Sequence, residues 1–143
     1  MKLIHYGATS FDVSKFGQIK NLSYFSKPKG GLWASAVDSE YGWKQWCKEA
    51  QFRDCEDDNS FTFELSPDAK ILVIDSRSDF DELPKVGNQL KVGDYLDFEL
   101  LSSQYDAIHL TERGMWKTRM SLYGWDCECV LIMNSKIILN ANN

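Results

Sequence analysis

At 143 residues, with 43% hydrophobic and 26% charged residues, the chain has the composition of one folded domain and not of a disordered segment. A net charge of -5 excludes a general basic footprint for nucleic acid, although Lys27, Lys29, Arg113, Lys117 and Arg119 can still gather into a local patch. Met1 to His5 is too short and polar for a signal peptide, and no apolar run reaches bilayer length, so a soluble cytoplasmic protein without membrane contact is expected.

In chain order, Leu3–Tyr6 reads as a short strand that breaks at Gly7. Phe11 to Ser26 carries no period, and Pro28-Lys29-Gly30-Gly31 is a turn before a second strand at Leu32–Ser35. Asp38-Ser39 is expected to cap a helix running to Ala50, with Trp43, Trp46, Cys47 and Ala50 as its core face. An acidic loop follows, then a strand at Phe61–Leu65. Lys70–Asp75 is the clearest central strand of the middle region. Asp79 to Leu83 suggests a helical turn, and Leu90 to Leu101 a helix capped by Asp94. Tyr105–Leu110 is a further strand, and Thr111 to Tyr123 an aromatic-rich loop or short helix. Trp125–Asn134 is read as a late buried strand and Lys136–Leu139 as a last one. The order is that of a single α+β domain over residues 1–143, without repeat or linker.

The late strand begins with two carboxylates, Asp126 and Glu128, which strict alternation places on one face together with Val130 and Ile132. Carboxylates entering an apolar sheet must be hydrated, paired or used. Cys127 and Cys129 take the other face and point to the core. The four cysteines lack the paired spacing of zinc sites, so no metal is expected, and no Gly-rich phosphate loop is present. A Cys–His nucleophile pair can be drawn from His5 or His109, but no spacing fixes it.

Three segments, His5-Tyr6-Gly7-Ala8-Thr9, Gly30–Ser35 with Tyr41 and Trp43, and Asp126-x-Glu128 before an apolar strand, together resemble the ADP-ribosyltransferase superfamily in its His-Tyr-Glu branch. The resemblance implies a split β-sheet core with a few helices and NAD as a substrate, bound between the His5–Thr9 turn and the Glu128 strand. It implies an enzyme that cleaves the nicotinamide–ribose bond and passes ADP-ribose to a macromolecular acceptor, protein or nucleic acid. Glu128 would be the catalytic carboxylate, with Asp126 beside it acting on the acceptor. His5, Tyr6, Gly7, Thr9, Trp33, Ser35, Tyr41 and Trp43 would bind NAD, Trp33 standing where the family has Tyr. The family places His directly before Gly. Tyr6 intervenes here, so His5 and Tyr6 both stand as candidates for that position. Residues 112–125 would form an acceptor-recognition loop, and the setting implied is a toxin, effector or phage-type modifier. Two rival readings remain: a non-catalytic protein-interaction module, and an inactive transferase fold that keeps the NAD cleft.

Overall fold

The computed structural model describes residues 1–87 and 95–141. Nine strands and four α-helices follow in chain order: β1 Lys2–Tyr6, β2 Leu32–Ala36, α1 Trp43–Glu49, β3 Ser60–Leu65, β4 Ile71–Ile74, α2 Arg77–Asp81, β5 Lys85–Val86, β6 Tyr95–Leu96, α3 Phe98–Gln104, β7 Ala107–Leu110, α4 Glu112–Thr118, β8 Cys129–Ile132 and β9 Ile138–Leu139. Seven strands form one mixed sheet in the order β4-β7-β8-β2-β1-β3-β9; β5 and β6 pair separately. Among the described residues only β4 and β7 run parallel in the large sheet. The α+β expectation therefore holds. Among the described residues no helix is long and apolar enough to cross a membrane.

Register explains how the two cores divide. Leu131 lies opposite both Trp33 and Ile108, and these three join Leu110, Cys129, Phe98, Met115 and Trp125 on one face, beneath α2, α3 and α4. Val130 lies opposite Ala34 and His109, and this face gathers Leu3, Phe61, Phe63, Ile132 and Ile137 under Phe11 and Phe16. The central strand β8 is buried on both faces, as its unbroken Cys-Val-Leu-Ile run requires.

Several expectations are corrected. Ile71–Ile74 is an edge strand; β4 pairs only with β7 and leaves Val73 exposed. An apolar run signals burial against something, but does not say how many strands flank it. Helix α1 begins at Trp43, not after Ser39: Gly42 caps it, its N–H donated to Gln45 Oε1 at 3.0 Å, while Ser35 Oγ accepts from Trp43 N at 2.9 Å. Of its expected core face, Cys47 is buried, Trp43 and Trp46 are half-buried and Ala50 is exposed. Tyr95 belongs to β6, and α3 starts at Phe98 behind an Asp97 cap that accepts from Leu100 N at 3.1 Å. Leu90 and Asp94 lie outside the described residues. The late strand is also shorter than read: β8 begins at Cys129, and 126–128 lead into it.

Candidate functional site

The short start of β8 decides where the two carboxylates go. Ala36 ends β2 beyond the last residue paired with β8, so its N–H has no strand partner there. Glu128 supplies one: its Oε1 accepts from Ala36 N at 2.9 Å. Its Oε2 meets His109 Nε2 at 2.8 Å. The Glu128 backbone is equally held, its N–H donated to Tyr41 O at 2.9 Å and its carbonyl accepting from Ser35 Oγ at 3.0 Å. Glu128 is buried, with every polar group of its side chain engaged. Asp126, expected on the same face, instead lines a cavity on the Trp33 side of the sheet. Alternation fails because 126–128 is not a strand, Asp126 being irregular and 127–128 a bend.

That cavity holds about 260 Å3. Trp33 and Trp43 form aromatic walls, Tyr6 and His5 stand at the β1 side, and Trp125, Cys127 and Asp126 close the β8 side. Trp33 is fixed edge-on against Trp125, with centroids 4.8 Å apart, and Trp43 is stacked on Trp46 at 5.2 Å. Two cations reach in. Lys27 Nζ lies 5.1 Å from the Trp33 ring and 5.8 Å from Trp43, and the Arg53 guanidinium lies 5.3 Å from Trp43. All three contacts use the negative ring faces.

His5 Nδ1 donates to the Trp33 carbonyl at 2.7 Å and its ring packs on Phe61. Burial lowers its pKa from 6.5, opposed by that hydrogen bond and assisted by nearby Arg53. Burial likewise raises the Tyr6 phenol. Cys127 is pushed up to about 12 by burial first, then by the charges of Glu128 and Asp126.

Of the residues singled out in the sequence, His5, Tyr6, Trp33, Trp43 and Asp126 meet at one cavity. Gly7 and Thr9 are exposed outside it; Gly7 turns the chain at φ +116°. Tyr41 packs its ring on Trp116 at 5.9 Å. Ser35 is buried and positions the start of α1 and the Glu128 carbonyl. Glu128 lies away from the cavity wall. Sequence reasoning missed Lys27 and Arg53 as cavity residues, and His109 as the partner of Glu128. The signal for His109 was a polar residue in the apolar run of β7, where alternation puts it opposite Val130. Nothing in the spacing of Arg53 marked it.

The arrangement offers flat aromatic surfaces, two cations and one carboxylate at a single cavity. Comparison of the chain with protein-family models, with curated proteins and with solved structures gives no match.

Proposed function

We propose that the protein is an ADP-ribosyltransferase that takes NAD as substrate at the Trp33–Trp43 cavity. One observation carries this reading: residues from each of the three segments that resemble the superfamily, His5 and Tyr6, Trp33 and Trp43, and Asp126, line one aromatic cavity beside the adjacent strands β1, β2 and β8. The large sheet is one continuous sheet of seven strands and not the split core that the resemblance implies, so the reading rests on the cavity and not on the sheet. At about 260 Å3 the cavity suits a nucleoside-sized group, smaller than the roughly 300–1,000 Å3 pockets of larger ligands. The nicotinamide–ribose end fits, and the remainder of NAD extends over the surface.

NAD supplies the bond that breaks, between the nicotinamide nitrogen and ribose C1′. Trp33 and Trp43 hold the flat ring. Lys27 and Arg53 meet the pyrophosphate. Asp126 faces the positive charge that develops on the ribose and takes the proton of the attacking acceptor group. Glu128, tied to Ala36 and His109, holds the 127–128 bend that presents Asp126, a positioning role in place of the catalytic one expected from the resemblance.

The experiment is nicotinamide release from NAD by the purified protein, with and without cell extract, beside Asp126→Asn and Glu128→Gln. Release abolished in Asp126→Asn with NAD binding retained is the expected result. Release lost in Glu128→Gln and kept in Asp126→Asn would exchange the two roles. The fully engaged Glu128 carboxylate favours one second reading, an NAD-binding fold without turnover, which predicts binding and no release. Absence of both binding and release overturns the proposal.

A further inference from the structure

We infer that the surface built from residues 24–29 and 113–123 docks single-stranded nucleic acid. Acidic residues outnumber basic ones 21 to 16 in the whole chain. Yet residues 13–37 contain four lysines, residues 113–125 contain two arginines and a lysine, and neither stretch contains an Asp or Glu. The fold joins these two stretches. Trp125 Nε1 donates to the Ser26 carbonyl at 2.9 Å, and the Ser26 hydroxyl donates to the Tyr123 carbonyl. Gly124, at φ +94°, lets the chain pass so close to Phe25 that a Cβ there would stand 3.1 Å from the ring.

The joined surface is unusual in what it leaves in water. Tyr24 is 60% exposed, Trp116 49%, Tyr123 71% and Met120 86%. Isolated exposed apolar residues need no explanation, but four on two adjoining basic stretches do. The Arg119 guanidinium lies 4.9 Å over Trp116. Lys27, Lys29, Lys117 and Arg119 make no ion pair among the described residues, so no carboxylate neutralises their charge there.

Rings and free cations together select the partner. Phosphates use the cations, and unpaired bases stack on rings whatever their sequence. A duplex hides its base faces, and an acidic peptide would leave the rings idle. Lys27 and Gly124 also line the Trp33 cavity, so a strand lying here reaches its mouth. As the acceptor of ADP-ribose the strand rests on the transferase reading; as a bound ligand it does not.

The test is fluorescence anisotropy with labelled oligo-dT and oligo-U at low salt, beside a duplex and polyglutamate. Single strands should bind, and log affinity should fall with log salt at a slope of roughly -2 to -3, from about 0.7 per phosphate neutralised by three or four cations. Trp116→Ala and Tyr123→Ala should each weaken binding by roughly 5- to 100-fold. Arg119→Glu should abolish it at moderate salt. Absence of strand binding, equal binding of the duplex or polyglutamate, or indifference to both ring replacements overturns the proposal. The assay contains no NAD, so its failure leaves the transferase reading standing, and failed nicotinamide release leaves this surface standing.

Discussion

His109 Nε2 and Glu128 Oε2 stand 2.8 Å apart between β7 and the entrance to β8, and the second oxygen of the same carboxyl closes the end of β2 at Ala36. One side chain thus ties three elements that share no local sequence. Removing one member strands a buried polar group instead of merely deleting a contact. We expect His109→Ala and Glu128→Ala each to cost about 2–4 kcal/mol in urea unfolding, because the first leaves the buried Glu128 carboxyl without its partner and the second leaves both His109 and the Ala36 N–H without theirs. The double variant should cost clearly less than the two single costs added together. Additive effects would show that the two residues do not act as a pair.

The helix that follows β7 depends on a position with no side chain. Gly114 N donates to the Thr111 Oγ1 cap at 3.0 Å, and Gly114 O accepts from Thr118 Oγ1 at 2.8 Å. A Cβ at Gly114 would stand 2.0 Å from the Ile74 carbonyl oxygen, a backbone atom that cannot swing aside. Gly114→Ala should therefore cost about 3 kcal/mol or more, by lifting α4 from the edge strand β4. Gly87→Ala, where a Cβ meets nothing within 4 Å among the described residues, should stay within about 0.5 kcal/mol. Equal thermal midpoints for the two variants would contradict the close approach of α4 to β4.

Protonation of His5 gives a pH signature. Burial lowers its pKa in the folded state below the ordinary 6.5, so the unfolded chain takes up the proton first. Stability is then complete above pH 6.5 and is lost as pH falls from 6.5 through the lowered folded value. The lowered pKa values of Asp79 and Asp106, each held down by a backbone hydrogen bond, act further down: their stabilisation is complete above 3.8 and is lost below it. Urea midpoints of the wild type should decline as pH falls below 6.5, and His5→Gln should flatten that decline. A His5→Gln profile parallel to the wild type would remove His5 as its source.

Legibility in the sequence followed the reach of each physical signal. Strands β1, β2, β3 and β7 announced themselves by apolar runs between turn residues, and Trp33 and Trp43 by local spacing. The edge position of β4 was hidden, because its partners are chosen by the crossover through α2 and α3 and not by Ile71–Ile74. The parting of Asp126 from Glu128 was hidden too. Two-residue alternation assumes a strand, and the strand starts only at Cys129, after Glu128 has turned to serve Ala36. Lys27 and Arg53 reach the cavity from irregular segments, where no period relates sequence distance to space.

Cys127 lines the cavity beside Asp126, yet it is poorly suited to be a nucleophile. Burial pushes its thiol up to about 12, raises Cys129 well above 9.0 and raises Cys55 to about 11. With its pKa raised so far, the Cys127 thiol holds little of the thiolate at pH 8, and the thiolate is the reactive form. Alkylation by iodoacetamide at pH 8, followed by mass spectrometry, should modify Cys127 and Cys129 of the native protein at least about 100-fold more slowly than in urea. Partly exposed Cys55 should react before either. Rapid native modification of Cys127 would mean that its thiolate is stabilised within the cavity, and the carboxylate chemistry proposed for Asp126 would then face a thiol competitor. Slow modification leaves Asp126 as the reactive group among the β8-side residues of that cavity.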